Sequence, residues 1–198
     1  MFFALAIRYN NKMNVADRKT YAIATIIAVA IAASAFVYKY VIDVPPPLPR
    51  VMPVIGEPGS AHTHTSLLIM IDERVVDFCD PKFMLKSVVA HFENSNCYVV
   101  HKHARGVTLP TFLKTVGVEL SSNCITIMNE EKRCTNGSKR LSAVLNGQEI
   151  PVEDLSYYDL RNNDHILINY GSEDSIHLKF KYNQVPPIPL DVNEPLVQ

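Results

Sequence analysis

The sequence predicts an α+β domain, built on a mixed sheet with one or two short helices and preceded by one transmembrane helix. Three observations predict it: an uncharged apolar run near the amino terminus, several short strand-like segments bounded by turns, and two capped segments of only a few helical turns. The 198 residues leave room for one ordinary domain plus appendages. A formal net charge of -1 creates no large positive field, so nucleic-acid binding is not expected.

The apolar run predicts a membrane anchor over residues 21–42. Residues 21–37 carry no charge, and the apolar character continues, interrupted by Lys39, to Ile42. About 20 apolar residues in a helix suffice to cross the hydrocarbon core of a bilayer. Basic residues concentrate before the run, so the positive-inside bias predicts a cytoplasmic segment over residues 1–20 and an extracytoplasmic remainder, as in a single-pass protein of the cell membrane. These basic residues are Arg8, Lys12, Arg18 and Lys19.

A cleaved signal peptide is the alternative interpretation of the same run. Residues 33–35 read Ala-Ser-Ala, which resembles a signal-peptidase site. We favour the anchor because the run is longer than the apolar core of about 7 to 15 residues that signal peptides use. Met13 offers an alternative start, from which a short polar segment leads into the run.

Proline-rich segments flank one extracytoplasmic domain, which we place at residues 61–183. Six prolines fall between residues 43 and 60, and because proline restricts φ and favours extended polyproline II, they predict a stiff spacer. Four more fall in residues 184–198, which we expect to form an extended or disordered tail.

The first half of the domain predicts a hairpin, a short helix and a strand. Apolar residues 66–71 turn at Asp72-Glu73 into residues 74–78, which is typical of a β-hairpin. Asp80 followed by proline is a helix start signal, and we expect a short helix from there to Val88. Residues 97–100 return to a strand pattern.

The second half predicts one helix and four strands. Thr108 as cap, an early proline and a closing glycine predict a helix over residues 108–117. Strands are expected at the ranges 124–128, 141–145 with an Asn-Gly turn, 165–170, and an alternating edge strand at 176–182. This order of elements is similar to the β-grasp arrangement of ubiquitin-like domains.

Four cysteines lie after the apolar run, so an extracytoplasmic domain would hold them as disulfides. Three pairings are possible, and Cys124 and Cys134 bracket a polar turn that could bring them together. The remaining two are Cys79 and Cys97. No Cys-x-x-Cys motif is present, which argues against a thioredoxin-type site or a zinc ribbon.

The histidines carry the sharpest functional signal. Two His-x-His pairs, His62/His64 and His101/His103, and one His-x-Glu pair, His91/Glu93, lie within 42 residues. Residues i and i+2 of a strand face the same side, so each pair could close on one metal ion. Imidazole suits copper or zinc. The competing interpretation is a set of ordinary solvated strand residues, which is how we interpret His165 and His177.

Residues 62–171 resemble a family of largely uncharacterised membrane-anchored or secreted proteins of archaea, notably ammonia-oxidising archaea, and of some bacteria. The resemblance lies in the two histidine pairs, the Gly-Val-Thr-Leu segment and its short helix, the Val-Leu-Asn-Gly turn and the final Asp-His-Ile-Leu-Ile-Asn-Tyr-Gly strand. Members often have a second histidine where this chain has Glu93. The resemblance implies the fold and its topology, but no established activity.

Two functions therefore compete. The first is a membrane-anchored metal-binding domain for copper or zinc outside the cytoplasm, with the bilayer and the ion as partners. The second is an accessory subunit of a larger membrane protein complex, in which the histidines have no metal role. An enzyme is less favoured, because Glu93 is the only general base that the pattern suggests and no catalytic motif is present.

Overall fold

A computed structural model describes residues 15–37, 50–94, 96–128 and 130–189. The chain divides into two units, Met1–Pro47 and Leu48–Gln198. The first contains helix α1 (Val15–Val37). Its stretch Asp17–Phe36 is long and apolar enough to cross a membrane. The helix begins six residues before the predicted anchor, and predicted positions 38–42 lie outside the described residues.

Within the described residues, the second unit contains strands, two α-helices and two 3₁₀ turns. In chain order they are β1 (Thr63–Ile71), β2 (Arg74–Val75), a 3₁₀ turn (Pro81–Phe83), β3 (Ala90–Glu93), β4 (Asn96–Lys102), α2 (Leu109–Thr115), β5 (Val118–Leu120), β6 (Cys124–Ile127), β7 (Arg133–Cys134), β8 (Arg140–Leu145), β9 (Gln148–Ile150), a 3₁₀ turn (Val152–Ser156), β10 (Asp164–Gly171) and α3 (Ser175–Tyr182). The predicted α+β class is confirmed.

The main sheet is mixed, with strand order β3-β4-β1-β10-β8-β9 and β2 added to β1. β1 and β10 run parallel at its centre, from Thr65 opposite Asp164 to Ile71 opposite Tyr170. The outer pairs are antiparallel. A first and a last strand lying parallel in the middle, each flanked by antiparallel strands, is the predicted β-grasp arrangement. β5, β6 and β7 form a separate small sheet.

The two faces of the main sheet have different coverings. Along β1, Leu67 and Ile69 enter the large core, which also contains Phe112 of α2. Leu68 and Met70 face the other side, where they join a smaller apolar cluster with Leu178 of α3. Because strand side chains alternate, His62 and His64 belong to this second face.

Helix α2 forms where the sequence predicts it. The Thr108 hydroxyl accepts a hydrogen bond from the Thr111 amide, and Pro110 occupies the first turn, where its missing amide is harmless. Gly117 follows the helix with a φ of +80°, a conformation that glycine adopts without strain. The apolar side chains of α2 are buried, so packing against the sheet stabilises this helix of only seven residues.

One predicted element is wrong in type, and another is predicted too long. Residues 176–182 form helix α3, not an edge strand, because the Asp174 carboxylate caps the amides of Ile176 and His177 and only Leu178 and Lys181 are buried. Their three-residue spacing is helical. The helix predicted after Asp80 is reduced to one 3₁₀ turn.

The backbone after that turn leaves helical geometry. Met84 is extended, with a ψ of 145°, and Leu85 has a φ of +53°. The Leu85 amide then donates to the Phe92 carbonyl at 2.9 Å. Pairing with β3 therefore replaces the helical hydrogen bonds that a longer helix would need.

The disulfides join Cys79 to Cys97 and Cys124 to Cys134. The second pair faces across β6 and β7, as the bracketed turn suggested.

Of the predicted spacer, residues 50–60 are described. They are hydrogen-bonded to the domain, for example by the Gly56 amide, which donates to the Arg105 carbonyl at 3.0 Å. Of the predicted tail, residues 184–189 are described, and the Ser66 hydroxyl donates to the Pro186 carbonyl.

Candidate metal centre

Three neighbouring strands place three histidines in one row. His64 of β1 is the register partner of His101 of β4, and His101 is in turn the partner of His91 of β3. Directly opposed residues in antiparallel strands project to the same face, with their Cβ atoms about 4.5 to 5.5 Å apart. The register of β1, β4 and β3 therefore brings together side chains that are up to 37 positions apart in the sequence.

His62 and His103 form a second row, two residues further along the same face. The residues between the rows, Thr63 and Lys102, are themselves register partners. The backbone of His103 is held on both sides, since its amide donates to the Val89 carbonyl at 2.8 Å and its carbonyl accepts from the Gly59 amide at 2.6 Å. The end of the spacer thus helps to position the second row.

The imidazole rings of the two rows are in contact. Ring centroids are 4.7 Å apart for His64 and His101, 4.9 Å for His62 and His64, 5.1 Å for His62 and His103, and 4.9 Å for His91 and His103. His91 and His101 are stacked at 6.3 Å. The four shorter spacings match the approach that ligands of shared ions at about 2.0 to 2.1 Å require.

Glu93 lies among these rings and contacts two of them. Its Oε2 is 3.1 Å from Nε2 of His91, and its Oε1 is 2.9 Å from Nδ1 of His101. The second contact lacks hydrogen-bond geometry, so among the described residues Nδ1 of His101 is a buried nitrogen without a hydrogen-bond partner. A carboxylate with one oxygen directed at each ring can complete a metal site or pair with an imidazolium.

Burial keeps the imidazoles of His101 and His103 in the neutral form that binds metals. His64 and His101 are each only 3% exposed. Burial, only partly offset by the Glu93 carboxylate, lowers the pKa of His101 to about 4, and burial together with its histidine neighbours lowers the pKa of His103. Burial alone would raise the pKa of Glu93, but attraction to His101 and a hydrogen bond from His91 lower it. At neutral pH His101 and His103 therefore offer lone pairs beside a carboxylate.

Residues outside the predicted set hold the ligands in place. The Ser87 carbonyl lies 2.7 Å from Nδ1 of His91, which leaves Nε2 as the nitrogen that faces the cluster. Asn162 accepts from the His64 amide at 2.9 Å. Phe92, between His91 and Glu93, is fully buried on the opposite face and meets Phe112 edge-on at 4.9 Å. Neither Ser87 nor Asn162 is predicted from the sequence, because no local pattern marks them.

The remaining histidines are apart from this cluster. His177 is exposed, and its Nδ1 is 2.8 Å from the carboxylate of Asp174 at the start of α3. His165 has its Nδ1 3.0 Å from the Asn163 carbonyl. A further group, Asp77 with Cys79 and Cys97, has ligand-like spacing, but both of its sulfur atoms are in a disulfide and so are not thiolate ligands.

Comparison of the chain with protein-family models, curated proteins and solved structures found no significant match. The resemblance to the archaeal and bacterial family therefore stays a prediction from the motifs.

Proposed function

We propose that this chain is a membrane-anchored protein whose extracytoplasmic domain binds copper or zinc through the histidine cluster. The observation that supports this most is the convergence of five imidazoles and one carboxylate on one face of three adjacent strands. Burying several imidazoles against each other is costly unless something compensates for their lost hydration, and a coordinated cation provides that compensation. The proposal covers binding, delivery or sensing of the ion and includes no reaction.

The ligand types favour copper or zinc over harder cations. Imidazole nitrogen suits Cu²⁺ and Zn²⁺, whereas Mg²⁺ and Ca²⁺ prefer oxygen ligands. Five of the six candidate ligands are nitrogen donors: His62, His64, His91, His101 and His103, with Glu93 as the sixth.

Two features support the proposed location. Helix α1 includes a stretch that is long and apolar enough to span a bilayer, and basic residues precede the apolar run. The domain carries two disulfides, which persist in oxidising compartments and are rare in the cytosol. We propose a single-pass protein of the cell membrane with a cytoplasmic amino terminus.

Protease treatment of intact and of permeabilised cells tests this location. We expect the domain to be digested in intact cells, and digestion only after permeabilisation would contradict the proposal.

Calorimetric titration tests the binding itself. The full chain, purified in detergent with an affinity tag that lacks histidine, is titrated with ZnCl₂ and CuCl₂, and the same is done with a variant carrying His62→Ala, His64→Ala, His101→Ala and His103→Ala. We expect tight binding by the parent and its loss in the variant. A double variant, His165→Ala and His177→Ala, is the matched control and should bind like the parent. Equal weak binding by all three proteins would overturn the proposal.

A further inference from the structure

The candidate ligands fall into two sets of three. In the first set, His62, His64 and His101, the ligand atoms all lie within 4.8 Å of one another. The second set consists of His91, Glu93 and His103, and its ligand atoms also lie within 4.8 Å of one another. Three protein ligands with an open fourth position is the usual arrangement of a zinc ion that also binds water or another small ligand. Each set by itself therefore has the composition of a complete open site.

We propose that the cluster holds two divalent transition-metal ions side by side, one in each set, with the Glu93 carboxylate between them. This inference rests on the proposed function, since it requires that the cluster binds metal at all. A single tetrahedral ion would use four ligands and leave two of the six unpaired next to a cation. Two ions use all six.

The contacts between the sets support a shared boundary. His62 and His103 come from different sets, and their rings are 5.1 Å apart. Glu93 belongs to the second set, yet its Oε1 is 2.9 Å from Nδ1 of His101, which belongs to the first. Its other oxygen faces His91 of its own set. A carboxylate that directs one oxygen to each set is placed to bridge two ions and to offset part of their mutual repulsion.

The two sets differ in composition and exposure, which makes them separable. The first consists of three nitrogen donors, and the second contains two nitrogen donors and one oxygen donor. His62 is exposed and His103 is half-buried, so replacing either disturbs little of the core. The open positions of both ions would take water or a small anion as ligand.

Stoichiometry measured one set at a time tests the inference. The full chain in detergent is loaded with ZnCl₂, desalted, and analysed by native mass spectrometry and by elemental analysis of zinc per chain. We expect two ions in the parent, one in His62→Ala, one in His103→Ala, and two in the control His177→Ala. With CuCl₂, electron paramagnetic resonance should show magnetic interaction between two Cu²⁺ ions in the parent and an isolated Cu²⁺ signal in either single variant.

The other possible outcomes distinguish failure of the two-ion inference from failure of the proposed metal binding. One ion in the parent, weakened by both His62→Ala and His103→Ala, would overturn the two-ion inference and leave the proposed metal binding intact. No ion in the parent would overturn both. Two ions in the parent that both single variants retain, or two Cu²⁺ signals without interaction, would show that the ions do not occupy these adjacent sets.

Discussion

His64 and His101 face each other directly across β1 and β4, with their ring centroids 4.7 Å apart and both side chains almost fully buried. If a metal ion links them, it stabilises the native state, because the unfolded chain does not hold the two strands together. Metal binding should therefore be visible in the stability of the protein as well as in titrations.

We expect zinc to raise the melting temperature of the domain. A ligand at one hundred times its dissociation constant stabilises the native state by about 2.7 kcal/mol, and the increment contributed by the ion of the first set should be absent in His64→Ala. Thermal unfolding of each protein with ZnCl₂ and with chelator measures it, each variant being compared with its own metal-free form. His177→Ala serves as control and should keep the full increment. An increment in His64→Ala equal to that of the parent would contradict this expectation.

Gly106 is expected to be intolerant of any side chain. Its φ is +73°, and a Cβ atom there would lie 2.1 Å from the carbonyl oxygen of Val54. Gly106→Ala should lower the free energy of unfolding by about 1 to 3 kcal/mol, because it adds backbone strain and separates the residue 54–56 segment from the loop after β4. Urea unfolding followed by circular dichroism measures the change.

Gly137→Ala is the matched control for that substitution. Apart from Gly137 itself and its two chain neighbours, nothing lies within 4 Å of the position that its Cβ would take, so the free energy of unfolding should change by less than about 0.5 kcal/mol. Equal losses in the two variants would mean that the close approach at Gly106 has no energetic effect.

Removal of the Cys124–Cys134 disulfide should destabilise the domain without removing metal. The bond closes a loop with a sequence separation of 10, for which the chain-entropy description gives roughly 2 to 3 kcal/mol. The double variant Cys124→Ala and Cys134→Ala should therefore melt at a lower temperature. Because neither cysteine belongs to a histidine set, zinc stoichiometry should stay unchanged. Loss of zinc in this variant would show that the small sheet supports the metal centre.

The pH dependence of stability should report on Glu173. Burial alone would raise the pKa of this carboxyl, but hydrogen bonds from Lys181 and Asn169 lower it to about 2, compared with 4.5 for an ordinary glutamate. A lowered pKa stabilises the fold above the unfolded value, and that stabilisation is lost as the pH falls from about 4.5 towards 2. Glu173→Gln should flatten the fall in melting temperature over this window.

The exposed Glu119 provides the comparison for that measurement. Glu119→Gln should leave the acid dependence of the melting temperature as it is in the parent. If the melting temperature of Glu173→Gln fell with pH in the same way as that of the parent, the proposed contribution of Glu173 to stability would be contradicted.

Local signals predicted the elements whose hydrogen bonds are satisfied within a few residues. The helix at Leu109–Thr115 follows from its cap, proline and closing glycine, and the two hairpin turns at Asp72 and Asn146 follow from residues that tolerate positive φ. The alternation in residues 176–182 misled the prediction, because the Asp174 cap and the burial of Leu178 outweigh a period-two pattern on the surface. There, tertiary contact chose between two locally acceptable structures.

The amino-acid sequence alone predicted that the two members of each pair face the same side wherever the pair lies on a strand, since the period of a strand is two. Only the tertiary structure decided that the three pairs meet. That depends on β4 lying between β1 and β3 in a register that aligns His64, His101 and His91. Register is specified by burial of one face of the whole sheet, which is a property of all its strands together and is not present in any single segment.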